Sequence, residues 1–396
     1  MREGDRSGPL EERAHRGDDS AARRIPTRAP RGSYPTRPVS EIETTSVPKG
    51  VDLPAIAAWL APHVGGLQGE LRATLIAGGR SNLTYVIADD AREWVLRRPP
   101  LAHVLPTAHD MAREFRVISA LGPTSIPVPL TIAFCQDHDV LGVDFYVMQR
   151  VHGHIVRDCL PPDYADVPET RRAMSLALME TLSALHAVEP AAVGLEGFGK
   201  PAGFLERQLR RWWQQWELSK TRELPQMEEL RRRLEAGLPE SGPPAIVHGD
   251  YRLDNTMLAL DDPGRIVAVL DWEMCTLGDP LADLGLLMVY WADRSDPAEV
   301  AGALSPAPLT VQEGFLTRAE LVREYAARGG RDASALDWYT CLGYYKLAIV
   351  AEGIHARYLM GMTVGEGFEH YGERVPQMVD YALIKATASG LPGLAG

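Results

Sequence analysis

Two short segments of the chain bring together the residue types that phosphoryl transfer requires. Residues 248–255 read His-Gly-Asp-Tyr-Arg-Leu-Asp-Asn, and residues 267–273 read Val-Ala-Val-Leu-Asp-Trp-Glu. Transfer of a γ-phosphoryl group needs a base that aligns the attacking hydroxyl, and oxygen ligands for the Mg²⁺ that neutralises the phosphates. The pattern predicts that Asp250 accepts the hydroxyl proton, that Asn255 holds one Mg²⁺, and that Asp271 holds Mg²⁺ bridging the phosphates of ATP.

Polar residues near these segments are given supporting roles. Arg252 is predicted to act in catalysis by reaching the γ-phosphate as charge redistributes in the transition state, whereas His248 is expected to orient the loop through hydrogen bonds. Asp279 is typical of a turn or an N-cap, and Asp283 of a residue that braces the catalytic loop. Glu273 is interpreted as a carboxylate just outside the metal ligands, with a solvent-facing turn residue as the alternative.

The order His-Gly-Asp-x-x-x-x-Asn, followed by Leu-Asp-Trp-Glu, resembles the aminoglycoside and choline phosphotransferase family. It follows the order of the protein-kinase catalytic loop and metal aspartate, with Gly249 in place of the middle arginine. A chance hairpin with acidic tips is the alternative, and two motifs in the right order and separation argue against it. Since no Ala-Pro-Glu and no long peptide-docking segment follow Asp271, the resemblance favours a small-molecule acceptor. It implies a bilobal, protein-kinase-like α+β fold, with an antiparallel sheet plus a helix and then a mostly helical lobe.

The upstream half is expected to bind the nucleotide. Residues 76–87 read as a strand, a tight glycine turn and a second strand, and the backbone N–H groups of such a turn can cradle phosphates. Gly78, Gly79, Ser81 and Asn82 are therefore predicted to bind ATP. An ordinary hairpin without a ligand is the alternative.

The next predicted strand, residues 93–100, ends in a basic pair. Kinases place a lysine at this position to hold the α and β phosphates, and Arg97 occupies the corresponding place. The sequence Leu-Arg-x-x-Pro resembles the branch of kinase domains fused to some acyl-CoA dehydrogenases. Arg98 is interpreted as a solvated surface charge. Residues 111–121 have helical spacing and place Glu114 where it can pair with Arg97, the alternative being a pair with an arginine of its own helix.

Residues 145–153 form a β-rich run that ends at a glycine. The resemblance implies that this run is the last strand and the hinge between the lobes. On that basis Met148 lines the adenine pocket, and Gln149 to Val151 form the hinge that contacts the nucleotide. A plain buried strand that ends in a turn is compatible with the same pattern.

The rest of the chain is predicted to be helical. Apolar residues recur at helical spacing in residues 170–186, 204–216, 318–328 and 336–359. His186 is expected to be a structural histidine at a helix end, and Trp212, Trp213 and Trp216 are candidates for the substrate region or, equally, the core. Lys346 and Arg357 suit an anionic acceptor, with surface charges as the alternative.

Length and composition indicate how the chain is organised. Its 396 residues are enough for two lobes with separate cores. Residues 1–50 lack apolar periodicity and are predicted to be a disordered extension, followed by a nucleotide-binding lobe at 51–150 and a catalytic and substrate-binding lobe at 151–396. The extension has 10 basic and 8 acidic residues, which leaves 31 basic and 45 acidic residues on the folded part.

Several functional classes are disfavoured. The acidic folded part argues against nucleic acid, which requires a basic surface. No apolar run approaches the roughly 18 to 20 residues of a membrane helix. Four scattered cysteines without pairing or metal-ligand spacing and the lack of an export signal indicate a reducing cytoplasm. Nothing in the pattern selects an oligomeric state.

The expected function is therefore ATP- and Mg²⁺-dependent phosphorylation of a hydroxyl group on a small molecule. The resembled branch suggests a hydroxyacyl-CoA or a related metabolite as acceptor, with an aminoglycoside as the runner-up and a choline- or homoserine-type acceptor as a third possibility. A nucleotide-binding pseudokinase with a regulatory role is the alternative from another class, motivated by Arg97 in place of lysine.

Overall fold

The computed structural model describes residues 48–76, 82–101, 110–296, 309–329, 331–362 and 367–396. Residues 1–47, which make up most of the predicted extension, lie outside this set, as do Gly78, Gly79 and Ser81. Among the described helices, none is both long enough and apolar enough to cross a bilayer.

An antiparallel sheet forms the centre of the N-terminal lobe. Its strands pair in the order β1-β2-β3-β5-β4. The elements in chain order are α1 (Leu53–Leu60), β1 (Arg72–Leu75), β2 (Leu83–Ala88), β3 (Glu93–Arg98), α2 (Met111–Leu121), β4 (Thr131–Cys135), α3 (His138–Leu141) and β5 (Phe145–Gln149).

The sheet is apolar on both faces because both are covered. Side chains alternate between the faces of a strand, so Leu96 packs with α1 in one core, whereas Val95 packs with α2 in the other. Helix α2 begins where the Asp110 side chain accepts the backbone N–H of Arg113 at 2.9 Å. Its buried face follows helical spacing and includes Glu114, which is 2% exposed. The sheet therefore has an acidic side chain packed against its inner face.

Helices dominate the C-terminal lobe, which confirms the predicted α+β class. Two antiparallel ribbons, β6 with β9 and β7 with β8, lie among them. The elements are α4 (Pro168–Ala187), α5 (Phe204–Ser219), α6 (Pro225–Ala236), β6 (Ala245–Val247), β7 (Thr256–Leu258), β8 (Ile266–Val269), β9 (Thr276–Gly278), α7 (Leu281–Tyr290), α8 (Arg318–Gly329), α9 (Leu336–Leu359) and α10 (Tyr371–Ala388).

The ribbons position the polar segments that the sequence singled out. Residues 248–255, here called the catalytic segment because they carry the predicted base, connect β6 to β7. The segment carries Asp250 and Asn255 out of one ribbon and into the other. Asp271 follows β8, and a short 3₁₀ segment, Trp272–Met274, leads from it to β9. Both segments thus emerge at the same end of the ribbons.

Helices α7 and α9 support these ribbons through a close crossing at Gly285. A Cβ atom added to Gly285 would lie 2.5 Å from the backbone carbonyl carbon of Tyr339, so only glycine allows this approach. The crossing fixes α7, which carries Asp283 and Tyr290, against α9, which carries Lys346.

We expect Gly285→Ala to lower the free energy of unfolding by about 1–3 kcal/mol, because the added methyl group overpacks the crossing. Urea denaturation measures the change. Gly329→Ala is the matched control, since a Cβ there meets nothing within 4 Å, and it should leave stability unchanged or raise it by up to about 1 kcal/mol. Equal stabilities of the two variants would contradict the close crossing.

Candidate functional site

The catalytic segment begins with a backbone conformation that requires glycine. Gly249 has a φ of 88°, and a Cβ at this position would lie 2.7 Å from both the Cβ and the carbonyl oxygen of Met274. Gly249 therefore lets the chain leave β6 in close contact with Met274 of residues 271–275, here called the metal-side segment.

Asp283 holds this segment in place. Its two carboxylate oxygens accept the backbone N–H groups of His248 and Gly249, each at 2.7 Å. His186 Nε2 lies 3.1 Å from Asp283 Oδ2, and His186 Nδ1 lies 2.8 Å from the Tyr325 hydroxyl. Burial tends to raise the pKa of Asp283, but hydrogen bonding and the charge of His186 outweigh it, so the pKa is lowered. Asp283 and His186 thus have the structural roles that the sequence indicated.

His248 is occupied on both ring nitrogens. The backbone N–H of Asp250 donates to His248 Nδ1 at 3.2 Å, so this nitrogen is an acceptor and Nε2 carries the proton. The Nε2–H group lies 2.9 Å from the carbonyl oxygen of Leu270. His248 therefore links the catalytic segment to the strand end before Asp271 through both ring nitrogens.

Two hydrogen bonds orient the carboxylate of Asp250. Asn255 Nδ2 donates to Asp250 Oδ2 at 2.9 Å and to the Asp250 carbonyl oxygen at 2.8 Å. The Tyr290 hydroxyl donates to the other carboxylate oxygen at 3.1 Å. Sequence reasoning missed Tyr290, because it lies 40 positions away at the end of α7 and belongs to no motif.

Arg252 lies beside the base. Its Nε atom is 3.1 Å from Asp254 Oδ1 and 3.4 Å from Asp250 Oδ2. The guanidinium carbon lies 4.6 Å from the centre of the Tyr290 ring, in the range of a cation–π contact. The structure thus places a positive charge next to Asp250, and the contact of Arg252 with the γ-phosphate stays a prediction.

Arg97 connects the two lobes. Its Nη2 atom donates to Asp271 Oδ1 at 2.7 Å, and its Nε atom lies 3.0 Å from Glu114 Oε1. The predicted pair with Glu114 therefore forms. Asp271 has a φ of 64° and is the only non-glycine residue in the described part of the chain with a positive φ. Such strain in a non-glycine residue persists only where the surroundings enforce it, and Arg97 is one of those surroundings.

Glu114 titrates in an unusual range. Burial raises its pKa to about 7, although the charge of Arg97 opposes the rise. The carboxyl group therefore keeps its proton to a higher pH than an exposed glutamate does.

The chemistry of Asn255 and Asp271 fits Mg²⁺. The amide nitrogen of Asn255 donates to Asp250, which leaves its carbonyl oxygen for a metal, and Arg97 occupies only one carboxylate oxygen of Asp271. Mg²⁺ prefers oxygen ligands and is commonly held by one or two side chains plus phosphates and water. Accordingly, the described residues contain no group of three or more His, Cys, Asp or Glu that could hold a metal alone.

The residues assigned to the nucleotide have mixed surroundings. Asn82 is 3% exposed, and its Nδ2 atom donates to Glu273 Oε2 at 3.3 Å. Met148 is buried in the sheet, whereas the backbone N–H of Gln149 is bonded to the carbonyl oxygen of Leu130 at 2.7 Å. Val151 follows, half-buried. The nucleotide roles of these residues stay predictions.

The interpretation of Arg98 as a solvated surface charge is wrong. Its side chain is 6% exposed, its Nη1 atom donates to the carbonyl oxygen of Gly50, and its Nε atom donates to that of Pro99 at 3.2 Å. Arg98 ties the segment before α1 to the end of β3, which is a structural role.

A cavity of about 550 Å³ opens beside the catalytic segment and reaches Gly249. Helices α2, α5, α7 and α9 and the metal-side segment surround it. Trp212 lies in its wall, whereas Trp216 belongs to the core and Arg357 does not line it. Basic side chains outnumber acidic ones in the lining; the basic residues are Arg113, Lys200, Arg207, Arg210, Arg211 and Lys346, and the acidic ones are Asp110, Glu273 and Asp283.

The basic face of α5 was also missed. Arg207, Arg210 and Arg211 are three and four positions apart, which places them on one face of a helix. Neither Arg210 nor Arg211 makes a hydrogen bond or an ion pair within the described part of the chain. Helical spacing of the arginines is the signal that could have identified them.

Comparisons with known proteins agree with this geometry. Residues 72–308 match the model of the phosphotransferase enzyme family. Over 323 residues the chain is 35% identical to acyl-CoA dehydrogenase family member 11 of Pongo abelii, which covers 80% of this chain and 40% of that protein. The chain therefore spans about two fifths of the length of this relative.

Solved structures show the same fold. A candidate aminoglycoside phosphotransferase from Ralstonia eutropha is 32% identical with a TM-score of 0.72, covering 85% of this chain and 98% of that one. A thermostable aminoglycoside phosphotransferase APH(4)-Ia, in a ternary complex with ADP and hygromycin B, is 14% identical with a TM-score of 0.54, covering 82% and 98%. The second likeness concerns the fold alone. The predicted kinase-like fold and the family resemblance are both confirmed.

We expect Glu114→Gln to remove a pH dependence of stability. Between pH 4.5 and about 7 the folded protein keeps a proton on Glu114 that the unfolded chain has released, so this group makes the free energy of unfolding fall as pH rises through that interval. Urea unfolding of wild type and variant across the interval measures the difference. Glu228→Gln removes an exposed carboxylate as the control, and a Glu114→Gln curve parallel to wild type would contradict the assignment.

Proposed function

The chain belongs to the phosphotransferase enzyme family, and we propose that it transfers the γ-phosphoryl group of ATP, with Mg²⁺, to a hydroxyl group of a small molecule. The observation that supports this most is the oriented carboxylate of Asp250, held by Asn255 and Tyr290. Asp271 follows the adjacent ribbon, and His248 hydrogen-bonds both the backbone N–H of Asp250 and the carbonyl oxygen of Leu270, the residue before Asp271. A base and two oxygen ligands are thus held by one network.

In the proposed reaction, Asp250 takes the proton of the acceptor hydroxyl as the hydroxyl oxygen bonds to the γ-phosphorus. The bond between that phosphorus and the bridging oxygen breaks, and ADP leaves. Mg²⁺ held by Asn255 and Asp271 would neutralise the phosphates. Arg252, beside Asp250, stabilises charge on the transferring group.

Arg97 supports enzymatic turnover rather than a pseudokinase. The contact that kinases make between a lysine and the glutamate of the lobe helix is made here by Arg97 and Glu114. A guanidinium presents several N–H donors in a plane, so Arg97 can pair with Glu114 and still offer donors to phosphate oxygens. The replacement of lysine therefore keeps the ion pair.

The acceptor is proposed to be anionic, with a hydroxyacyl-CoA favoured over an aminoglycoside. The basic lining of the cavity supports this, because a polycationic aminoglycoside would meet like charges there. Arg210 and Arg211 are exposed on the α5 face and are free to bind phosphate groups. The similarity to acyl-CoA dehydrogenase family member 11 supports a thioester as the acceptor.

We expect Asp250→Ala to abolish transfer while ATP still binds. Loss of a general base typically lowers the rate by about 10²–10⁴-fold. The measurement is Mg²⁺-dependent transfer from γ-labelled ATP to a panel of hydroxyacyl-CoAs, aminoglycosides, choline and amino alcohols, with ATP affinity from calorimetry. Asp250→Asn is the matched variant, because it keeps the shape of the side chain and removes only its charge. Undiminished transfer by either variant would exclude Asp250 as the base, and ATP binding by wild type without any transfer would favour the pseudokinase.

The double change Arg210→Gln with Arg211→Gln is expected to raise the KM for a hydroxyacyl-CoA about tenfold or more, because charge-assisted contacts to phosphate are lost. Steady-state kinetics at two salt concentrations measure it, since added salt should weaken the wild type more than the variant. Arg357→Gln is the control, an exposed arginine of α9 outside the cavity. The same KM in all three proteins would argue against this binding surface.

A further inference from the structure

Lys346 links the cavity to the catalytic segment. It lies midway along α9, whose neighbouring residues are buried, and its side chain enters the cavity wall. The ammonium donates to the carbonyl oxygen of Gly249 at 2.6 Å and lies 5.6 Å from the centre of the Trp212 ring. An ammonium has three N–H donors, and the described residues accept a hydrogen bond from only one of them.

The carbonyl that Lys346 binds belongs to the peptide group just before Asp250. Asp283 holds the N–H of Gly249 at 2.7 Å, and Lys346 holds its carbonyl oxygen at 2.6 Å. Two charged side chains therefore fix Gly249 from opposite ends. Because Gly249 has a φ of 88°, which other residues rarely adopt, its backbone is intrinsically free to rotate and depends on such contacts. The direction in which the Asp250 side chain extends from the segment therefore depends on both contacts, that with Asp283 and that with Lys346.

Charged groups of both signs surround Lys346 and act on its pKa. Burial lowers the pKa of Lys346, and the carboxylates of Asp250 and Asp283 oppose that effect, whereas Arg211 and Arg252 add to it. A cation in such a place gains from any further anion that comes close, because a half-buried charge is weakly screened. An anionic group in the cavity would supply one.

We propose that Lys346 is a positioning residue that makes turnover depend on the charge of the acceptor. One N–H group holds the Gly249 carbonyl and hence the direction of Asp250, while another binds an anionic group of the acceptor in the cavity. This inference rests on the proposed phosphotransfer, and it adds that acceptor recognition acts on the rate of transfer. Binding energy that aligns the base raises kcat rather than only lowering KM. Arg210 and Arg211, which make no hydrogen bond or ion pair with the segment among the described residues, contribute to KM alone.

The test compares Lys346→Met and Lys346→Arg with Arg211→Gln in the full chain. Hydroxyhexanoyl-CoA isomers are the acceptor probes, and kcat, KM, the Kd for ATP with Mg²⁺ and the thermal midpoint are measured for each protein. We expect Lys346→Met to lower kcat about 10- to 100-fold, the effect of losing a charge-assisted hydrogen bond, with ATP affinity and the thermal midpoint near wild type. Lys346→Arg keeps a donor and should recover part of kcat, and Arg211→Gln should raise KM with little change in kcat.

Three outcomes would overturn the inference. An unchanged kcat in Lys346→Met would show that the hydrogen bond does not position the base. A higher KM alone, as in Arg211→Gln, would make Lys346 a simple acceptor ligand. A parallel loss of thermal stability and ATP affinity, without recovery by arginine, would make it structural. Failure of the proposed function itself would be visible earlier and separately, as a wild type that transfers phosphate to none of the probes or panel acceptors.

Discussion

The buried carboxylate of Asp283 is the interaction on which the site depends. A charge taken out of water is tolerated only when hydrogen bonds and opposite charges replace its hydration. Asp283 obtains these from the backbone N–H groups of His248 and Gly249 and from His186. The hydrogen bonds that stabilise the buried charge of Asp283 are therefore the same ones that fix the geometry of the catalytic segment. Loss of either partner would leave a buried charge or two buried donors unpaired, which explains why helix α7 must pack tightly at Gly285.

The second constraint is the bridge that Arg97 makes across the lobes. Its partners come from different parts of the fold, Glu114 from α2 and Asp271 from the end of β8. Arg113 of α2 adds a bond to the carbonyl oxygen of Cys275 at 3.1 Å. Helix α2 is therefore attached to the metal-side segment at two points, directly by Arg113 and through Arg97 by Glu114. The position of the N-terminal lobe is thus coupled to the strained backbone of Asp271.

Sequence reasoning succeeded where the cause is local. Helix α2 matches its predicted limits because Asp110 caps it and its apolar residues repeat at helical spacing, and the same periodicity defines α9 at residues 336–359. The pair between Arg97 and Glu114 was predictable from a strand followed by a helix. The sequence-based predictions failed where the partner is distant in the chain. Arg98 is buried because it binds the carbonyl oxygen of Gly50, and Tyr290 reaches Asp250 only through the packing of α7. Neither contact leaves a trace in local spacing.

Net charge was uninformative for a related reason. The chain carries a formal charge of −12, which suits a cationic ligand, yet basic residues outnumber acidic ones in the lining of the cavity beside Gly249. Screening limits the reach of exposed charges to about 10 Å in ordinary salt, so a ligand in the cavity responds to α5 and Lys346 rather than to acidic residues spread over the rest of the surface. The acidic exterior and the basic cavity are thus compatible. The selectivity that we propose for an anionic acceptor then follows from where the cations lie. The contact between Lys346 and Gly249 places one of these cations beside both the cavity and the residue before Asp250.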